Sequence, residues 1–95
     1  MDDSKKNQLI SNMVENLPVL RKKLDVSQTE LAEMIGVSRS TLTALENKKR
    51  PMTWNVFLSL ILIFTKNKET DALLNVLEIY TDDLNEFIKI RSAEK

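Results

Sequence analysis

The chain is 95 residues long, which is the size of one small domain. It contains no cysteine and no histidine, which excludes disulfides, thiolate zinc sites, cysteine nucleophiles and the usual general base at neutral pH. A single glycine also excludes the glycine-rich loops that bind nucleotide phosphates. We therefore expect no enzymatic activity, no cofactor and no metal site.

The charges sum to zero, with 14 basic and 14 acidic residues, but they are unevenly distributed. Residues 21–50 hold seven basic and four acidic residues, whereas the segments on both sides have an acidic excess. This pattern allows one basic face on a neutral domain, although the same residues could simply be scattered over a solvated surface.

The most apolar run, residues 54–64, is half of the roughly 20 residues that a membrane span needs. With no signal-peptide pattern either, we expect no membrane association and a cytoplasmic location.

The N-terminal segment has apolar residues at helical spacing, which predicts a first helix over Ser4 to Leu17. Pro18 follows, and a proline inside a helix removes a hydrogen bond and clashes with the preceding turn. We therefore expect a second helix that is capped by Asn16 and ends near Leu24.

Two short helices joined by a tight turn come next. Ser27-Gln28-Thr29-Glu30 has the capping-box pattern, and Gly36 supplies the left-handed residue that ends this helix after Ile35. Ser38 is expected to cap the following helix, Arg39 to Asn47. The residues predicted to form the core of this unit are apolar: Leu31, Met34, Ile35, Val37, Leu42 and Leu45.

The C-terminal half begins with a helix from Trp54 to Phe64 that Thr53 is expected to cap. This helix is apolar nearly all round and must be covered on nearly all sides. A further helix is predicted from Asn67 to Tyr80, and Thr81 opens a last one. A second copy of the chain could supply the cover, or the apolar residues of these last two helices could do so: Leu73, Leu74, Val76, Leu77, Ile79, Tyr80, Leu84, Phe87, Ile88 and Ile90.

The predicted fold is all-α, a compact bundle of five to six helices. We expect a single domain, 1–95, with a helix-turn-helix at 28–47 inside a core of about 12–64, and with C-terminal helices 67–92 for core completion or dimerisation.

The segment from Leu20 to Asn47 resembles the Cro/CI-type (XRE-like) helix-turn-helix family of phage and bacterial repressors. The spacing that carries the resemblance is followed without a gap: Gln28, Ala32, Gly36, Val37, Leu42 and Leu45. The resemblance implies a lambda-repressor-like fold that binds double-stranded DNA, usually as a homodimer, with a recognition helix in the major groove.

The resemblance also implies individual roles. Gln28 is at the position of a phosphate contact, and Arg39, Ser40 and Thr43 are where the recognition helix meets base edges, with Ala44 on the same face. Asn47 is similar to a backbone contact at the helix end. The following cations suit phosphates: Lys48, Lys49 and Arg50. The family often has a glycine where this chain has Lys48, a departure that concerns the conformation of the loop.

These residues predict a sequence-specific transcriptional regulator, most simply a repressor. Two alternatives remain open: an antitoxin whose C-terminal helices bind a toxin, and a protein-interaction module that does not use DNA. A neighbouring toxin gene would favour the first alternative. Binding to DNA that weakens steeply with salt would exclude the second. Arg39 could also be only a solvated residue at a helix start, and we expect Glu30 to serve the capping box rather than acid–base chemistry.

Overall fold

The computed structural model describes residues 1–89, and these form six helices without a strand. The helices are α1 Asp3–Lys23, α2 Gln28–Ile35, α3 Arg39–Glu46, α4 Trp54–Lys66, α5 Lys68–Val76 and α6 Asp82–Ile88. The all-α prediction is confirmed. Ile90 and the predicted end of the last helix at residue 92 lie outside the described residues.

Helix α1 runs unbroken through Pro18, so the expectation of two separate helices is wrong. Leu17 and Leu20 on either side of the proline are fully buried. Burying two leucine side chains contributes about 3–6 kcal/mol, which offsets the cost of about 3 kcal/mol for a proline inside a helix. Asn16 does not cap a helix start; its Nδ2 donates to the Asn12 carbonyl oxygen, 2.8 Å away in the same helix.

The predicted caps of α2, α3 and α4 are confirmed. The Ser27 hydroxyl accepts from the Glu30 N–H (3.0 Å), and the Ser27 N–H donates to Glu30 Oε1 (2.8 Å), which completes the capping box. Ser38 accepts from the Thr41 N–H and Thr53 from the Val56 N–H. These bonds satisfy amides that a helix start otherwise leaves unpaired, and they fix where each helix begins.

Helices α1, α2, α3 and α5 end in the same way, with the chain turning left-handed just after the helix. The left-handed residues have φ between 55° and 79°: Asp25, Gly36, Lys48 and Glu78. The next amide in each case returns to a carbonyl five residues back, as in a Schellman motif. This turn ends α5 at Val76, before the predicted end at Tyr80.

The core is built mainly around α1 and α4. Phe57, Leu60 and Phe64 of α4 are fully buried, and α4 packs against α1, α2 and α5. The same chain therefore covers most of this apolar helix, and Leu62 is its exposed large apolar residue (60% exposed). The prediction that Met34 belongs to the core is wrong, because its side chain is half exposed on α2.

Within residues 1–89, every helix is too short or too polar to cross a bilayer.

Candidate nucleic-acid interface

Helix α3 has a buried face and an open face. Leu42 and Leu45 pack into the core. The residues predicted to contact DNA lie on the rest of the helix and at its end: Arg39, Ser40 and Asn47 are exposed, and Thr43 and Ala44 are half-buried. Arg39 makes no hydrogen bond or ion pair with any residue that the structure describes, so its guanidinium is available to a ligand.

The turn between α2 and α3 depends on one glycine. Gly36 has φ of 79°, and a Cβ added there would meet no atom within 4 Å. The requirement for glycine is therefore conformational, since there is space for a side chain but the left-handed backbone penalises one. Ala32 of α2 is buried (2% exposed), and α2 packs against α3.

Gln28, the first residue of α2, is joined to α3 by its side chain. Its Nε2 donates to Glu46 Oε1 at 2.9 Å, and its Oε1 accepts from the Thr43 hydroxyl at 3.0 Å. Two residues that the sequence assigned to separate DNA contacts thus bond to each other across the helix-turn-helix. These bonds fix the side chain of Gln28, which the resemblance places opposite a DNA phosphate.

Glu46 also pairs with Arg21 of α1. The Arg21 Nε lies 2.8 Å from Glu46 Oε2, and the Arg21 guanidinium also donates to the Val26 carbonyl at 3.2 Å. The side chains are 16% and 5% exposed for Arg21 and Glu46, respectively. This partly buried pair connects α1 and α3, and the bond from Gln28 to Glu46 extends the connection to α2.

Sequence reasoning did not single out Arg21 or Glu46. A signal was nevertheless present, because each follows a buried leucine by four residues, Leu17 in α1 and Leu42 in α3. Residues four apart lie on the same face of a helix. A charged residue in that register is held beside the core and needs a partner there.

The loop after α3 holds its three cations in different ways. Lys48 takes the left-handed conformation (φ 61°) that the family often gives to glycine, and its ammonium pairs with Glu15 of α1. Arg50 donates to the Thr41 hydroxyl at 3.2 Å. Lys49 is exposed and has no ion-pair partner among the residues that the structure describes.

The capping box of α2 also affects a titratable group. The pKa of Glu30 is held below its ordinary 4.5, first by the Ser27 backbone N–H and then by the Ser27 hydroxyl. A hydrogen bond to the charged carboxylate favours the ionised form, which is what a capping box requires. The same part of the chain contains no cluster of acidic side chains that could hold a metal ion.

Comparison with known proteins agrees with this geometry. A family model described as helix-turn-helix matches residues 20–53, from the last turn of α1 to the cap of α4. The searches of curated proteins and of solved structures found no match. The matched family consists of DNA-binding regulatory proteins rather than enzymes. Residues 20–53 are therefore similar to the Cro/CI-type helix-turn-helix family of DNA-binding regulators, as the sequence resemblance implied.

Proposed function

We propose that the protein is a sequence-specific transcriptional repressor that binds operator DNA as a homodimer, with α3 in the major groove. The observation that carries the proposal is the open face of α3. An exposed arginine begins that face, and small and polar side chains follow it. The partly buried Arg21–Glu46 pair holds the helix against α1, and the bond from Gln28 to Glu46 holds it against α2. A rigid helix with an open polar face is what major-groove recognition requires.

The side chains of α3 have chemistry suited to base edges. The guanidinium of Arg39 is a two-pronged donor that matches O6 and N7 of guanine. Ser40 can donate or accept, because its contact with the Ser38 hydroxyl at 3.1 Å works in either direction. The methyl group of Ala44 suits the methyl group of thymine. Thr43, which has both a hydroxyl and a methyl group, is the remaining side chain of α3 suited to base edges.

The residues around α3 are suited to positioning the protein on the phosphate backbone of DNA. Gln28 uses one amide hydrogen on Glu46 and keeps the second for a phosphate oxygen. Asn47, Lys48, Lys49 and Arg50 at the end of α3 supply further donors for phosphates. Contacts of this kind fix the register of a protein on DNA without reading sequence.

The homodimer is proposed from the family resemblance, because two copies of one recognition helix read a two-fold symmetric operator. Sedimentation or light scattering on the free and DNA-bound protein tests it, and one chain per operator would exclude it. A regulator of this type acts where the DNA is, so the proposal includes a cytoplasmic location.

The central experiment is selection of binding sites from random DNA, followed by affinity measurements on the selected site and on random DNA. Arg39→Ala should cost about 1–3 kcal/mol on the selected site and much less on random DNA. Lys23→Ala removes an exposed cation from the end of α1 and serves as the control for charge alone. Equal weakening on both DNAs would show that Arg39 contacts only phosphate.

Salt dependence tests the positioning loop. Lys49→Ala should weaken specific and random DNA by similar factors, and it should reduce the slope of log K against log salt by about one for each phosphate that the lysine neutralises. An unchanged slope in Lys48→Ala, Lys49→Ala and Arg50→Ala would remove the loop from the DNA interface. Binding that hardly depends on salt would favour the protein-interaction alternative.

A further inference from the structure

The hydrogen-bond network between α2 and α3 fixes the orientation of the Gln28 amide. Glu46 is only 5% exposed and pairs with Arg21 as a carboxylate, so it can accept hydrogen bonds but cannot donate them. The Gln28 atom that faces it at 2.9 Å must therefore be the nitrogen. The oxygen of the same amide then faces Thr43.

This orientation in turn fixes the role of the Thr43 hydroxyl. An amide oxygen only accepts, so Thr43 must donate its single hydrogen to Gln28 Oε1 at 3.0 Å. Hydroxyls elsewhere in the helices behave differently: Ser59 donates to the Asn55 carbonyl and Thr65 to the Ile61 carbonyl, each within its own helix. Thr43 is instead turned toward α2, and the hydroxyl oxygen keeps only lone pairs for a ligand.

We propose that Thr43 reads DNA as a hydrogen-bond acceptor, selecting the exocyclic amino group of adenine or cytosine at the base it faces. Guanine and thymine present only acceptors at their major-groove edges, so they would leave the Thr43 oxygen opposite another acceptor. Arg39, which has donors only, imposes the reverse preference at its own base. This inference rests on the proposed DNA-binding function and adds a sequence rule to it.

The preference of Thr43 for an amino group originates in residues outside the major groove. The donors run in one direction, from the Thr43 hydroxyl to the Gln28 oxygen and from the Gln28 nitrogen to the Glu46 carboxylate, which Arg21 also holds. The Glu46 carboxylate, which can only accept, sets the donor and the acceptor of each hydrogen bond in this series. The acceptor character of Thr43 is therefore a consequence of Glu46, a residue that is itself too buried to reach a base.

The test compares base selection by the wild-type chain with that of Thr43→Val and Thr43→Ser. Valine has nearly the same shape without the hydroxyl, and serine keeps the hydroxyl without the methyl group. We expect one operator position where the wild type and Thr43→Ser prefer adenine or cytosine and where Thr43→Val loses that preference. Ser59→Ala, which removes a hydroxyl that bonds within α4 and lies outside the DNA-facing residues, should leave that position unchanged.

A second measurement uses duplexes in which that base lacks its amino group, with purine in place of adenine or pyrimidin-2-one in place of cytosine. Loss of one neutral hydrogen bond should weaken wild-type binding about fivefold. Binding by Thr43→Val should change by less than about twofold. Melting curves of each variant establish that it is folded, and Thr43→Ala removes the same hydroxyl if the valine variant does not fold.

Three results would overturn the inference: a Thr43-dependent preference for guanine or thymine, unchanged selection by Thr43→Val at every position, or equal weakening on the amino-free duplex for wild type and Thr43→Val. Each of these leaves the protein a sequence-specific DNA binder. A wild-type chain that selects no sequence at all would instead overturn the proposed function, and the inference with it.

Discussion

Removal of the Glu46 carboxylate should destabilise the fold well beyond the effect expected for a surface ion pair. In Glu46→Ala, the Arg21 guanidinium loses the partner that lies 2.8 Å from its Nε, and the Gln28 amide loses its acceptor. Both groups remain beside the core. A buried donor or charge without a partner carries its full desolvation penalty.

The magnitude follows from burial. Breaking a buried pair by removing one partner costs about 3–5 kcal/mol. Arg21 is 16% exposed and keeps its bond to the Val26 carbonyl at 3.2 Å, so part of that penalty is relieved. We expect Glu46→Ala to lower the free energy of unfolding by about 2–4 kcal/mol, which is a large part of the stability of a domain this small.

Urea unfolding followed by circular dichroism measures the change, and the chain provides a matched control. Glu15 forms an ion pair with Lys48 in which the side chains are 52% and 61% exposed, so Glu15→Ala should cost only about 0–1 kcal/mol. The double variant Arg21→Met/Glu46→Ala removes both charges and should lose less than the sum of the two single variants. A cost for Glu46→Ala no greater than that for Glu15→Ala would refute the reasoning.

The remaining predictions concern exposed groups. Lys48→Gly and Lys48→Ala both remove the pair with Glu15, so the difference between their stabilities isolates the effect of the backbone. The glycine variant should be more stable by about 0.5–1 kcal/mol, because glycine adopts the left-handed conformation without strain. Equal melting temperatures would contradict this. Glu15→Gln frees Lys48 for phosphate and should tighten binding to random DNA by about two- to threefold, whereas unchanged affinity would place Lys48 away from the DNA. Because the folded-state pKa of Glu30 is lowered, its ionised carboxylate stabilises the fold above about pH 4.5 and this contribution is lost as the pH falls through the folded-state value. The stability difference between wild type and Glu30→Gln should therefore be largest near neutral pH and shrink in acid, as measured by urea unfolding across pH 2.5–7 (roughly the carboxylate range).

The sequence was most informative where local chemistry decides the structure. The caps at Ser27, Ser38 and Thr53 each depend on one side chain and an amide three residues away, and all three are confirmed. Gly36 likewise marks a left-handed helix end by itself. Signals of this kind need no knowledge of the rest of the fold.

The sequence was misleading where packing overrides local preference. Pro18 carries a strong local signal against a helix, yet the buried leucines on both sides keep α1 continuous. Lys48 and Glu78 end helices in a conformation that usually indicates glycine, and neither side chain signals such a turn. At Pro18 the free energy of burying the neighbouring leucines decides the backbone, and at Lys48 and Glu78 the left-handed turn goes with hydrogen bonds that return to the helix.

The candidate site was predictable in outline and not in its internal bonding. The pattern of α2 and α3 places Arg39, Thr43 and Gln28 near one another, but it does not reveal that the last two share a hydrogen bond. Such a bond depends on the crossing of two helices to within a fraction of an ångström. Periodicity in one helix carries no information about that distance.

Trp54 gives this fold a built-in optical reporter, because it is the only tryptophan in the chain. Its ring stacks on Phe57 at 4.9 Å, meets Phe87 of α6 edge-on at 6.3 Å, and lies under the Lys6 ammonium at 5.2 Å. Fluorescence therefore reports on the junction of α1, α4 and α6, whereas circular dichroism reports on all the helices together. If the emission changes before the helices melt, this junction opens separately from the helix-turn-helix, and the two halves of the molecule can be followed independently in one titration.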